Sequence, residues 1–373
     1  MAVVRTSRAT ARIDLGAVEH NIRTLKNIAG VPVMAVVKAD AYGHGAVPVA
    51  LAAKAAGAEW LGVCFLDEAF ELRSHGVPGP LVAWLLSDDD DFGAAIDQDI
   101  DLSVSSLDQL ERVAASTRGD RARVHIEVDT GLNRAGAARE HWEALFNRAV
   151  ELSDSIEVIS IWSHLAAADE PAHPANKKQQ VRYESALALA ELLGLKIQLR
   201  HLANSAGALV HPDFHYDLVR CGIATYGVAP GGEVNDPTVF GLKPVMSVVS
   251  TVSYVRQLAA GEGVSYSHRY IADHQTTVGL IPVGYADGIP RNATNSGHVT
   301  YKGQQFPIVG TVCMDQFVVE FGATPIEVGA EVTIFGADAT DAHSWALTAG
   351  TIGYELVTRL GERIEREYVD GVR

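Results

Sequence analysis

The chain has 373 residues, 47% of them hydrophobic and 20% charged, enough for a large core split between two domains and too apolar for extended disorder. A formal charge of −16 argues against nucleic acid or an anionic membrane as the main partner, while a few local arginines or helix N-termini can still bind an anionic small molecule. Cys64, Cys221 and Cys313 form no CxxC pair, no window is apolar enough to span a bilayer, and the arginine-bearing start lacks a signal-peptide core, so the expected setting is cytoplasmic.

From residue 32 short apolar, β-branched runs alternate with alanine- and leucine-rich amphipathic stretches. Strands are predicted at 32–38, 60–65, 80–85, 101–104, 122–128, 157–162, 197–202 and 217–221. Helices are predicted in DEAFELRSHG, SLDQLERVAAS and KKQQVRYESALALAELLG, with Asp67 and Ser106 as start signals and glycines as stops. The acidic run at 88–91 reads as a further helix start. Nearly all-apolar strands alternating with helices suit a parallel sheet covered on its outside, and eight such units predict an α/β fold, a TIM-like (β/α)8 barrel. After about residue 240 the rhythm changes. MSVVSTVSYVRQL, TTVGLIPVGY, HVTYKGQQFPIVG, DQFVVEF and EVTIFG are strand-like, and helical periodicity returns only in SWALTAGTIGYELVTRL. The expectation is a barrel over 1–240 and a mostly β domain over 241–373, with a linker in GVAPGGEVNDP and residues 1–12 free to pack with the second domain.

In such a barrel the chemistry sits at the carboxyl ends of the strands. Lys38 ends the first strand, His164 follows the sixth, Asn204 and Ser205 follow the seventh, and Arg220 ends the eighth. Singly, each has an ordinary reading as a solvated strand end, a loop histidine or a helix cap; together they mark one rim. Lys38 follows the apolar run VMAVV, where desolvation favours the neutral amine that Schiff-base chemistry needs. HLANSAG and RCGIATYG place small-residue turns after strands, where backbone N–H groups can hold a phosphate. No HExxH, P-loop or GxGxxG element appears, and no metal is expected. Cys64 and Cys313 lie in apolar runs and read as inert core.

AVVKADAYGHG resembles the pyridoxal-phosphate attachment motif of the alanine racemases. VDTGLNRAG, SHLAAADE, NSAG, RCGIATYG, GVSYSH, PVGYADGIPR, GTVCMDQ and TIGYELVTRLGERIEREY resemble further blocks of that family, in order and over nearly the whole chain. The resemblance implies a cofactor, pyridoxal 5'-phosphate, bound to Lys38, and a two-base racemisation of alanine with Tyr266 on the face opposite Lys38. It implies a homodimer with shared sites, Tyr266 and Met314 entering from the other subunit. His164 would bond toward Tyr266, and Arg220 would face the pyridine nitrogen. Tyr42, Asn204, Ser205, Gly222, Ile223 and Tyr354 would surround the phosphate. Arg134, Met314, Asp315 and Tyr285 would meet the substrate, Tyr285 and Tyr354 narrowing the entrance. The product would be D-alanine for peptidoglycan. Serine or a broader small amino-acid range stays open at this point. Where many members carry a carbamylated lysine that braces the matching arginine, this chain has Glu127, whose carboxylate is expected to brace Arg134 instead.

A non-catalytic pyridoxal-phosphate carrier would need neither the β domain nor Tyr266. A fold-type III decarboxylase would be longer and place a cysteine near the substrate, and a cofactor-free two-cysteine racemase would be colourless.

Overall fold

The computed structural model describes residues 8–370. The chain opens with strand β1 (Ala9–Asp14) and a helix, Leu15–Ala29, which Asp14 caps by accepting the Ala17 N–H at 2.9 Å and which Gly30 stops at φ 66°. The barrel strands follow: β2 (Val33–Val36), β3 (Trp60–Val63), β4 (Leu81–Ala83), β5 (Ile100–Val104), β6 (Ala122–Glu127), β7 (Ile156–Trp162), β8 (Leu199–His201) and β9 (Val219–Cys221). They lie in the order β9-β2-β3-β4-β5-β6-β7-β8, every pair parallel. Two backbone bonds, Asp217 N–H to Arg200 and Arg220 N–H to Ala203, both 3.0 Å, bring the β9 side against the β8 side. All eight predicted strands are present, and β2 to β4 are buried throughout, as continuous apolar runs between a packed interior and covering helices should be. The architecture is an eight-stranded parallel barrel with helices, followed by a mostly β domain.

Local chemistry moved some boundaries. The helix after β3 starts at Leu66, so Asp67 lies inside it. Glu68 causes this by accepting the N–H groups of Cys64 and Phe65. Ser106 caps Leu107–Ala115 as predicted, and Asp91, last of the acidic run, caps Phe92–Asp97.

In the second domain MSVVSTVSYVRQL divides into Met246–Thr251 and Tyr254–Leu258, which join different sheets. SWALTAGTIGYELVTRL likewise falls within two helices, Ala342–Thr348 and Gly353–Thr358, parted at Gly350 with φ 70°. The larger sheet has six strands, and β1 lies inside it, antiparallel to Met246–Thr251 and parallel to Glu365–Val369. A three-stranded sheet sets Thr276–Ile281 between Tyr254–Leu258 and Phe317–Gly322, and a two-stranded ribbon pairs Gly263–Val264 with Tyr270–Ile271. No helix among the described residues is long and apolar enough to cross a membrane, and no cluster of metal-ligating side chains occurs among them.

Candidate active site

Lys38 leaves the end of β2 and opens an unusual turn. Ala39, Asp40, Ala41 and Tyr42 all have φ between 51° and 56°, a left-handed conformation costing roughly 1–2 kcal/mol per non-glycine residue. Side chains hold it in place. Glu68 accepts the Ala39 N–H at 2.6 Å, Asp40 accepts the Ala46 N–H at 2.7 Å, and buried His44 donates from Nδ1 to the carbonyls of Ala41 and Tyr42. Burial pushes His44 down to about 4, which keeps it neutral. The turn directs Lys38 and Tyr42 to one end of the barrel.

Arg220, from β9, is buried there on the face of Trp162, its guanidinium carbon 4.7 Å from the ring centre. Its Nη1 donates to His201 Nδ1 at 3.0 Å and Nη2 to the Ser163 carbonyl at 2.8 Å and, more loosely, to His164 Nδ1 at 3.4 Å. None of these partners is a carboxylate. Burial pushes Arg220 down to about 10, which leaves it charged at neutral pH. Half-buried His164 is pushed down to about 3, by burial first and then by the positive Arg220, Arg134 and Lys38. It is a neutral imidazole.

Tyr42 packs between Tyr226, ring centres 4.9 Å apart, and Tyr354 at 6.2 Å. Its hydroxyl faces Gly222 so closely that a β-carbon there would stand 2.3 Å from it. Ser205 Oγ accepts the N–H groups of Gly222 at 2.9 Å and Ala224 at 3.3 Å, tying the turn through buried Ile223. Asn204 Oδ1 accepts the Gly207 N–H, so its side chain caps Ser205–Val210. Among the described residues, Lys38 Nζ, Tyr42 Oη and Arg220 Nε have no hydrogen-bond or ion-pair partner. Three such donors around one small-residue turn suit an anionic ligand.

A second group lies on the β domain. Tyr266 is 71% exposed, between Ser265 and Ser267 at φ 59° and 61°. Ser265 donates to the Thr311 carbonyl, and Thr311 donates to the Tyr266 carbonyl, which fixes this strained loop. Tyr285 and Met314 are also exposed, and the N–H groups of Tyr285 and Ala286 bond the carbonyls of Cys313 and Met314. Asp315 pairs with Arg363 at 2.7 Å. Among the described residues, no hydrogen bond, ion pair or ring contact joins this group to the barrel group.

The profile of the alanine racemase N-terminal domain matches residues 13–230, and that of the alanine racemase C-terminal domain matches 245–368. An alanine racemase of Frankia casuarinae is 47% identical over 370 residues, covering 97% of this chain and 96% of that one. One of Streptomyces coelicolor is 45% identical over 376 residues, covering 97% and 96%. The chain belongs to the alanine racemase family. It is an isomerase of that family. The crystal structure of the enzyme from D-cycloserine-producing Streptomyces lavendulae superposes with a TM-score of 0.95 at 43% identity, covering 98% of both chains. That of the Bartonella henselae enzyme, described with covalently bound pyridoxal phosphate, gives 0.87 at 30% identity, covering 97% of this chain and 99% of that one.

The fold thus gathers Lys38, Tyr42, His164, Ser205, Arg220, Gly222, Ile223 and Tyr354 at the barrel's carboxyl end and leaves Tyr266, Tyr285, Met314 and Asp315 on the β domain. The brace expected between Glu127 and Arg134 is absent: no ion pair joins them among the described residues. Glu127 is buried and accepts from Ser105 Oγ at 3.0 Å, whereas Arg134 is exposed. Burial therefore raises the Glu127 carboxyl above its ordinary value, against the lowering effect of Ser105, Arg220 and Arg134. Cys64 and Cys313, expected in the core, are only half-buried. Sequence reasoning missed Glu68, whose signal was a glutamate placed to reach back to the strand end, and the polar ladder of Asp101, His125, Ser160 and His201 inside the barrel.

Proposed function

We propose that this chain binds pyridoxal 5'-phosphate on Lys38 and interconverts L- and D-alanine, with Lys38 and Tyr266 serving opposite faces of the substrate Cα. The observation that carries the reading is the convergence of Lys38 Nζ, Tyr42 Oη and Arg220 Nε on one barrel end without protein partners among the described residues. Lys38 would hold the aldehyde carbon. Tyr42, Tyr354 and the turn of Asn204, Ser205, Gly222 and Ile223 would hold the phosphate, and Arg220 would face the pyridine nitrogen. When bound, the group supplies an electron sink for the charge left as the Cα proton departs.

The chain's own residues set the stereochemistry. A single base tends to return the proton to the face it came from, so inversion needs a proton carrier on each face. The Lys38 amine serves one and the Tyr266 phenol the other. A free phenol titrates near about 10, so it needs a hydrogen-bond partner to act near neutrality. Neutral His164, which Arg220 approaches at 3.4 Å, would supply it. Arg220 keeps its proton at neutral pH, so it would offer the pyridine nitrogen a hydrogen bond without a transferable proton. Exposed Arg134 is free to take the substrate carboxylate, and Met314, Asp315 and Tyr285 line the approach. The exposed position of Tyr266 and its separation from Lys38 support a homodimer with shared sites, Tyr266 entering from a second copy. The enzyme would work in the cytoplasm and provide D-alanine for peptidoglycan.

The test is a racemisation assay over several L-amino acids read by chiral chromatography, combined with borohydride reduction and peptide mapping. D-alanine as the main product and a pyridoxyl label on Lys38 are expected. No D-alanine from cofactor-loaded protein, or label on another lysine, would overturn the reading.

A further inference from the structure

A line of buried hydrogen bonds crosses the barrel interior and ends on Arg220. His201 Nδ1 accepts from Arg220 Nη1 at 3.0 Å, since a guanidinium can only donate. The proton of neutral His201 must then sit on Nε2, 2.8 Å from Ser160 Oγ. Ser160 in turn passes its own proton toward His125 Nδ1 at 2.7 Å, and His125 Nε2 donates to Asp101 Oδ2 at 3.0 Å. Donation runs one way from Arg220 to a carboxylate, through side chains of β9, β8, β7, β6 and β5. His125 and Ser160 are wholly inaccessible, and Asp101 and His201 are 1% and 2% exposed. The other Asp101 oxygen accepts from Arg123 Nε at 2.8 Å, beside an open cleft of about 640 Å³ at the barrel's far end. Trp162 fixes the upper end: it lies parallel to the His201 ring at 5.8 Å and is pinned by its indole N–H to Ser103.

We propose that Asp101 is a remote positioning residue for Arg220, acting through His125, Ser160 and His201 to fix the tautomers of both imidazoles and to balance the buried guanidinium at the site. Buried charge without a counter-charge is costly, and among the described residues no carboxylate lies within bonding distance of Arg220. Glu127 contributes attraction without contact. Asp101 is the carboxylate to which Arg220 is hydrogen-bonded through intermediates, and such polarised chains act as a unit. The relay also carries direction. Were His125 to turn its proton toward Ser160, that hydroxyl would have to donate to His201 Nε2. The His201 proton would then be forced onto Nδ1, against the Arg220 N–H, and the hydrogen bond between Arg220 Nη1 and that nitrogen would be lost. The proposal rests on Arg220 belonging to the active site and is independent of which amino acid is the substrate.

Asp101→Asn and Ser160→Ala test it in the full-length, cofactor-loaded enzyme labelled with ¹⁵N-histidine. The first removes the charge with little change of shape, and the second cuts the relay between two intact imidazoles. Ser160→Thr keeps the hydroxyl and serves as the rescue. We expect wild-type spectra with His125 and His201 both protonated on Nε2, altered His201 ¹⁵N signals in the first two variants, and recovery in Ser160→Thr. We also expect kcat to fall by about tenfold or more with KM little changed, the scale on which outer hydrogen-bond partners act. His201 signals and kcat unchanged in both Asp101→Asn and Ser160→Ala overturn the proposal. So does a loss of thermal stability with His201 unaltered, which makes Asp101 merely structural. Failure of the wild-type enzyme to racemise would sink the functional reading while the spectra still decide the relay.

Discussion

Replacing Gly222 by alanine puts a methyl group where the Tyr42 hydroxyl stands, with the new β-carbon 2.3 Å from Oη and 3.0 Å from Cζ. Tyr42 cannot swing aside, because it is 8% exposed and boxed between Tyr226 and Tyr354. Overpacking of this kind costs about 1–3 kcal/mol. In a chain of this length each kcal/mol lowers Tm by about 1.3 °C, so calorimetry should show a fall of roughly 1–4 °C. Tyr42→Phe removes the clashing atom, and since that hydroxyl has no protein partner among the described residues the single change should cost little. The remaining approach to Cζ needs a shift of only a few tenths of an ångström. The double variant should therefore regain most of the lost stability, a coupling of about 1–2 kcal/mol. Cofactor affinity should behave differently. If the hydroxyl grips a phosphate, every Tyr42→Phe chain loses a hydrogen bond to a charged group, worth about 1.5–3 kcal/mol or at least tenfold in Kd. Titration of the cofactor-free protein, followed by absorbance, measures it. Strictly additive Tm changes would refute the packing argument, and unchanged affinity in Tyr42→Phe would refute the phosphate assignment.

Glu127→Gln should change stability in a pH-dependent way. Burial holds the folded carboxyl above its unfolded value, so this group favours the folded state most in acid, and the benefit fades as pH rises through the folded value. The glutamine chain should therefore gain on wild type between about pH 4 and neutrality, as measured by urea unfolding across that range, and wild-type activity should not respond to bicarbonate. Glu68→Ala takes the acceptor from three N–H groups around Lys38 and should cost about 2–4 kcal/mol, with slower borohydride labelling of Lys38; an unchanged Tm would contradict it. Tyr266→Phe should leave Tm and cofactor absorbance alone, because the side chain is 71% exposed, while racemisation slows by at least about 10²-fold. A near wild-type rate in that variant would remove Tyr266 from the chemistry.

Much of the barrel was legible because strands such as β2, β3 and β4 are buried throughout and read as unbroken apolar runs, and the motif after β2 places Lys38 at a strand end. The start of the chain was less so. Thr10 and Arg12 give β1 a mixed pattern, and its place is set by pairing with residues more than 200 positions away. The break at Val252 was hidden because both flanking runs are strand-like, and only their separate sheets divide them. At the site, single residues at rim positions could be named, whereas Asp101, His125 and Ser160 looked like isolated polar residues in apolar strands. Their alignment depends on the register of five neighbouring strands. Glu127 was misjudged for a related reason: seven positions along the chain from Arg134, it faces the interior while the arginine faces out.

Subunit complementation tests the central claim, that Lys38 of one chain and Tyr266 of another act on one substrate. Lys38→Ala and Tyr266→Ala proteins, each inactive alone, are mixed under conditions where subunit exchange is confirmed, and alanine racemisation is followed by chiral chromatography. A mixed dimer holds one site with both bases and one with neither, so random exchange should restore about one quarter of wild-type activity. No recovered activity in the exchanged mixture would mean that both bases come from one chain, or that one of them is misassigned.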